Sequence, residues 1–364
     1  MNIIQTEEQV LNFWNLDNSF QKSNLNKSKK FTFFEGPPFA TGLPHYGHIL
    51  AGFIKDSICR SACQNGFSVE RNASWDAHGL PIEFEIEKQL GIKTKQQILD
   101  FGIGKYNKAC ESIVLKYANQ WETIIGRLGR WINWKKNIKT MDFDYMNSVW
   151  SVFYQIYSKN LIYEDFKVMP YSNACTTPLS NFEASSNYQT VTDRTVIVEF
   201  KIYNEDKYFL VWTTTPWTLP MNQALCINPN LDYICVKCNE NNKLYILCKN
   251  LLDSVFKKKE YTIINTIDNS QLITLKYHSL FDSNKLLSIF SDTYVNDSSG
   301  TGIVHLAPGF GEDDFKVCKN NGFLSSDIYI PINESGIFIS DIKPQSISNL
   351  SIKDSIKIII KELK

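Results

Sequence analysis

The apolar residues of this chain change period once, near residue 170, and that change limits the folds open to it. Before it, short β-prone runs alternate with long helical stretches. FTFFE (31 to 35) is followed by a glycine- and proline-rich loop from Gly36 to Pro44. Leu50, Ile54 and Ile58 then recur every four residues until Gly66 ends the helix, and FSVERN (67 to 72) reads as the next strand. Strand, loop, helix, strand is the order of a parallel sheet with crossover helices. Further on, Val149, Phe153, Ile156 and Tyr157 have the spacing of a helix face turned to a core.

After the change, β-prone segments follow one another across polar turns: RTVIVEFKIY (194 to 203), YFLVWTTT (208 to 215), LDYICVKC (231 to 238), KLYILCK (243 to 249) and YTIINTI (261 to 267). This pattern predicts a mostly antiparallel, barrel-like β domain. The last segment returns to a helix, with Ile352, Ile356, Ile359, Ile360 and Leu363 on one face and Lys353, Lys357 and Lys361 off it. Docking on the body of the protein is expected of it. At 364 residues the chain exceeds what one core usually serves, so two domains are expected.

Composition excludes several function classes. Lys plus Arg (38) equals Asp plus Glu (38), so no global basic field marks a nucleic-acid binder. One local cluster, Arg127, Arg130, Lys135, Lys136 and Lys139, has the form of a solvated helix face. No apolar stretch is long enough to cross a bilayer, and MNIIQTEEQVLNFW does not read as a targeting leader. A soluble, cytoplasmic protein without a membrane partner is expected. The nine cysteines include one CxxC, Cys235 and Cys238, with no second pair, so reduced, packed thiols are expected.

Chemistry concentrates first at FATGLPHYGHI (39 to 49), where His45 and His48 fall at the start of a helix. Helix N-termini expose unpaired N–H groups and carry positive dipole character, which suits phosphate. Imidazoles can donate to phosphate oxygens, and Gly47 leaves room for a flat ring against the backbone. Zinc is disfavoured: the histidines are three apart rather than four, and HExxH is absent. Neither a Walker motif nor GxGxxG occurs, so the nucleotide site is of another class. A second concentration pairs VWTTTPWTLPMNQAL (211 to 225) with GTGIVHLAPGFGEDDF (300 to 315), which places His305, Asp313 and Asp314 in a loop rich in glycine and proline.

PPFATGLPHYGH, followed by SWDAHGLPIEFEIEKQLG (74 to 91), resembles the HIGH and WDxHGLP elements of class I aminoacyl-tRNA synthetases of the isoleucyl, valyl and leucyl group. TTTPWTLP is similar to the isoleucyl branch, and GRLGRWINWKKNIKTMDF to its eukaryotic cytoplasmic members. The resemblance implies that His45, Gly47 and His48 bind ATP, with magnesium expected alongside and no zinc site. It implies that Pro37 and Asp76 hold the amino acid, Asp76 against its α-ammonium, a charge-assisted bond.

For the second concentration the resemblance is to the editing domain of this family, a hydrolase inserted in the catalytic fold. It implies that Thr213, Thr214 and Thr215 hold the terminal adenosine and the attacking water, with Thr218 and Asn222 nearby. Asp314 would grip the free α-amino group and His305 would exclude the larger side chain. The fold implied is α/β: the first half of a Rossmann-like parallel sheet (1–165), an inserted β-barrel-like editing domain (166–345) and a C-terminal helix of the insertion (346–364). The partners implied are isoleucine, ATP and tRNA(Ile). No KMSKS loop or anticodon-binding part is present, so these residues alone are not expected to form aminoacyl-adenylate.

Overall fold

The computed structural model describes every residue except Met1, Asn26, Ala40, Asn187 and Lys258, with Leu115 described by its backbone alone. Ala40, in the loop before the histidines, thus lies outside the described residues. The fold is mixed α/β with parallel and antiparallel pairing, and it divides into two units, Met1–Tyr163 and Glu164–Lys364.

In the first unit the strands are short and their pairing is parallel. Lys29–Lys30 pairs with Phe67–Ser68, and Asn72–Trp75 pairs with Asn133–Lys139. A parallel bridge joins Phe39 to Asp76. The expected strand 31 to 35 is not one: Phe31 N–H still reaches Ser68 O at 2.9 Å, but the chain then leaves its neighbour. FSVERN is likewise interrupted between Ser68 and Asn72. Phe31 and Phe33 anchor the departing segment by packing on Cys59, Cys63 and Val69. The gap opens into a cleft of about 520 Å³ lined by Glu35, Pro37, Trp75, Thr140 and Tyr145, among others.

Two helices of this unit correct the periodicity reading. Tyr46–Gln64 buries Gly52, Cys59 and Cys63, whereas Leu50, Ile54 and Ile58 stay 64%, 55% and 52% exposed. Ion pairs explain its orientation. Lys55 and Arg130 both meet Glu35, and Asp56 takes Arg60 Nε at 2.6 Å and Trp131 N–H at 3.2 Å, so the charged side of the helix faces the unit. Phe143–Ser158 buries no residue at all, and Val149, Phe153, Ile156 and Tyr157 are exposed. An apolar stripe reports that a face is suited to packing, not that a partner is there. The basic cluster is also not one helix face: Arg127 ends the helix Ile103–Arg127, while Lys135, Lys136 and Lys139 lie on the strand Asn133–Lys139.

The second unit holds two larger sheets, preceded by a small antiparallel pair, Tyr171–Ser172 with Thr177–Pro178. One runs Tyr261–Ile267, Tyr233–Cys238, Leu244–Cys248, Lys207–Thr213, Val196–Lys201 in spatial order; the other runs Lys276–His278, Leu286–Ser291, Ala224–Ile227, Ile303–Leu306. Most pairs are antiparallel, but Leu244–Cys248 with Lys207–Thr213 and Leu286–Ser291 with Ala224–Ile227 are parallel. The expected barrel does not close. An isolated bridge, Ile202 to Tyr277, links the sheets, and Tyr261–Ile267 remains an edge with Ile263 and Ile264 exposed. The sheets instead enclose a core in which Phe200, Phe209, Leu225, Ile227, Tyr233 and Tyr277 are completely buried.

The final helix, Ile352–Glu362, docks on this core through Ile359, with Lys353, Lys357 and Lys361 exposed. Ser351 caps it by accepting Asp354 N–H at 3.2 Å. All nine cysteines are free thiols. Among the described residues no helix is long and apolar enough to cross a membrane.

Candidate functional site

His45 is the N-cap of the helix Tyr46–Gln64, in extended conformation. Its Nδ1 accepts Gly47 N–H at 3.1 Å, and His48 Nδ1 accepts His45 N–H at 3.2 Å. Two imidazoles thus form the reciprocal cap usually made by Ser or Thr with Glu or Gln. The rings stack with centroids 3.7 Å apart. Because each Nδ1 accepts, each neutral ring carries its proton on Nε2 and offers it as a donor. Gly47 is required for a more local reason than the sequence suggested: a Cβ there would sit 2.9 Å from His45 Cε1, inside the capping ring.

Burial, then His45 and Lys55, lower the pKa of His48, which keeps that ring neutral near pH 7. Trp121 lies edge-on to His48 at 4.8 Å and donates through Nε1 to Gly42 O at 2.7 Å, tying the preceding loop to the helix start. Neither Trp121 nor Lys55 was singled out in the sequence. Lys55 follows His48 by seven residues, a helical repeat that could have flagged it. Asp76 directly follows the strand Asn72–Trp75 and is half-buried, its N–H bonded to Pro38 O at 3.0 Å. Pro37 is exposed on the wall of the 520 Å³ cleft.

In the second unit, Lys207–Thr213 delivers the threonines and Ile303–Leu306 delivers His305. A chain of hydrogen bonds joins them: Thr213 Oγ1 to Thr215 Oγ1 at 3.3 Å, Thr215 Oγ1 to Thr218 Oγ1 at 3.2 Å, and Thr218 Oγ1 to His305 Nε2 at 2.9 Å. Thr218 gives its proton to Thr215 O at 2.8 Å, so His305 Nε2 must be the donor to Thr218. His305 Nδ1 is then a buried acceptor, and it has no protein partner. Full burial pushes the His305 pKa down to about 4, so the ring is neutral at physiological pH.

Asp314 lies in the first turn of the helix Glu312–Asn320, and its Oδ2 accepts Ala307 N–H at 2.9 Å, two residues along from His305. Burial raises its pKa, with Asp313 adding to the effect, while Ala307 N–H and Tyr294 oppose it. Asn222 is committed within the fold: it accepts from Tyr277 Oη at 2.7 Å and donates to Ala224 O at 2.8 Å. Thr214 is exposed and takes no part in the threonine chain.

The family model for tRNA synthetases class I (I, L, M and V) matches residues 9–340. The probable cytoplasmic isoleucine–tRNA ligase of Dictyostelium discoideum is 48% identical over 96% of this chain and 34% of its own length. The cytoplasmic isoleucine–tRNA ligase of Mus musculus is 46% identical over 98% of this chain and 29% of its own length. That of Saccharomyces cerevisiae is 45% identical over 98% and 34%. The chain thus spans about a third of the length of these curated relatives. Among solved structures, the editing domain of the P. falciparum cytosolic leucyl-tRNA synthetase is 12% identical, covers 46% of this chain and 95% of its own, and aligns at a TM-score of 0.36. With 332 consecutive positions, from 9 to 340, inside the family's bounds, the chain belongs to the class I tRNA synthetases of the isoleucine, leucine, methionine and valine group.

Proposed function

We propose that this chain carries the nucleotide- and amino-acid-binding part of a cytoplasmic isoleucine–tRNA ligase, together with a domain that hydrolyses valine from mischarged tRNA(Ile). The observation that carries this reading is the pair of Nε2–H donors that His45 and His48 present at a helix N-terminus, suited to the phosphate oxygens of ATP. Magnesium would enter on the nucleotide, held by phosphate and water. Isoleucine would lie beside Pro37 with its ammonium against Asp76. Residues 1–165 would be the first part of a Rossmann-like catalytic domain, 166–345 an inserted editing domain and 346–364 its C-terminal helix.

In the editing domain Thr213, Thr214 and Thr215 would hold the terminal adenosine and the attacking water, with Thr218 behind them. Asp314 would take the α-ammonium, and His305 would limit the pocket to valine. Asn222 would support the site through the fold rather than by touching substrate. The need for such a domain follows from magnitude. A hydrophobic pocket exploits a missing methylene for only about 1–3 kcal/mol, a limit for which isoleucyl enzymes are the usual illustration. In a full-length ligase carrying these residues, His48→Ala should abolish isoleucine-dependent pyrophosphate exchange; unchanged exchange would overturn the assignment.

A second reading, a free-standing aminoacyl-tRNA deacylase, is favoured by the contrast between the units. The second has a continuous core, whereas the first leaves the helix Phe143–Ser158 without a buried residue. Under this reading the 364-residue chain hydrolyses Val-tRNA(Ile) without ATP. A purified chain that leaves Val-tRNA(Ile) intact would dismiss it.

A further inference from the structure

Loop 36–44 meets the two proposed halves of the first site at its two ends. At one end Asp76 N–H bonds Pro38 O at 3.0 Å, and a parallel bridge pairs Phe39 with Asp76. At the other the loop runs into the histidine cap, and Trp121 Nε1–H donates to Gly42 O at 2.7 Å across 79 residues of sequence. Trp121 lies on the helix Ile103–Arg127, only 5% exposed, and stands edge-on to Trp75 at 5.5 Å in the cluster on which Phe39 packs. The same indole meets the His48 ring at 4.8 Å with 65° between the planes. His48 is thus held by two rings, His45 stacked on it and Trp121 near its edge, while it also borders a cavity of about 150 Å³ beside Glu35, Lys55 and Arg130. Packing does not fix the imidazole toward that space, so the ring contacts set its tilt.

We infer that Trp121 is a positioning residue for His48: the bond to Gly42 O locks the indole, and the locked indole aims the His48 Nε2–H at the phosphate position. This rests on the proposed role of His48 in binding ATP. The tilt of the ring matters because Nδ1 is spent on His45 N–H at 3.2 Å, which leaves Nε2–H as the donor for a phosphate oxygen. A hydrogen bond weakens steeply once its angle falls below about 120°, so a ring free to swing would present that proton badly. The loop that carries Pro37 is also the loop that carries Gly42. A shift at its amino-acid end is therefore passed through Gly42 and the indole to His48, and Trp121 needs no contact with substrate to do this.

The test reads the His48 ring directly, by proton–nitrogen NMR of the full 364-residue chain near neutral pH, with His48→Gln to assign the resonances. The parent should show the Nε2–H tautomer alone, and Trp121→Phe should move both ring nitrogens toward a mixture of tautomers. Unmoved nitrogens overturn the inference. Equilibrium dialysis with Mg-ATP then completes a double-mutant cycle. Trp121→Phe should weaken binding about 10-fold in the parent, the worth of one well-placed hydrogen bond, and by less than about 2-fold in the His48→Ala background. Equal losses in both backgrounds would make the tryptophan merely structural and also overturn the inference. Should Trp121→Phe fail to fold by circular dichroism, benzothienylalanine at position 121, which puts sulfur in place of the indole N–H, is read by the same outcomes. A His48→Ala chain that binds Mg-ATP as the parent does would instead remove the nucleotide assignment, and the ring nitrogens would still decide whether Trp121 governs His48.

Discussion

His45 and His48 stack ring on ring at 3.7 Å while each accepts a backbone N–H through Nδ1. Capping therefore uses Nδ1 of each ring, and under the proposed role a ligand would meet the other nitrogen, Nε2. His45→Asn should separate them, because asparagine caps well but places no donor at the same reach. Thermal or denaturant stability should change by less than about 0.5 kcal/mol, whereas His45→Ala should cost about 1 kcal/mol. Equilibrium dialysis with Mg-ATP should show binding weakened by both variants. Full binding by His45→Asn would place the phosphates elsewhere.

The buried imidazole of His305 makes a pH prediction with a definite sign. Its folded pKa, about 4, lies below the ordinary 6.5, so the unfolded chain takes the proton first. Stability from this group is complete above pH 6.5 and falls as pH drops toward 4. Between pH 7 and pH 5 the loss should be on the order of 2 kcal/mol. The check is the difference in denaturant midpoint between the parent and His305→Gln at both pH values; a difference that does not narrow at pH 5 contradicts the assignment.

Thr218→Val should break the hydrogen-bond chain at its centre. It removes the acceptor of His305 Nε2–H and strands that donor inside the fold, a cost of about 1–3 kcal/mol. Valine keeps the volume, so urea unfolding reports the polar loss. In hydrolysis assays the same variant should slow release of valine from Val-tRNA(Ile), since Thr215 loses its neighbour.

Phe153→Ser on the uncovered helix should change the stability of this chain by no more than about 0.5 kcal/mol, as exposed sites do. Phe200→Ala, in the core of the second unit, should cost about 3–5 kcal/mol. Comparable losses from the two would mean that the helix is packed after all.

The β half was the more legible part of the fold. YTIINTI is the strand Tyr261–Ile267 to the residue, because polar turns on both sides bound it. Barrel closure was not legible, since it depends on which edges meet in space and no local pattern encodes that. Helix existence was readable and helix orientation was not. Leu50, Ile54 and Ile58 obey the period of a buried face, yet Glu35, Asp56 and Arg130 turn the helix the other way through ion pairs spanning up to 95 residues. In the candidate site, the placement of His45 and His48 at the passage from loop to helix followed from pattern, whereas the strand expected at 31 to 35 did not form. The contact between Thr218 and His305 spans 87 residues, and only the family resemblance put those segments together.

The histidine cap also bears on how such a sequence drifts. At most binding sites the residues that hold a ligand are poor choices for the fold, so variants that gain stability lose activity. Here a screen for helix stability alone would penalise loss of His45, and it would penalise any side chain at Gly47 that displaced the ring. If these positions also hold the nucleotide as proposed, folding and ligand recognition press on them in the same direction, and the cap would preserve the site even under selection for stability alone.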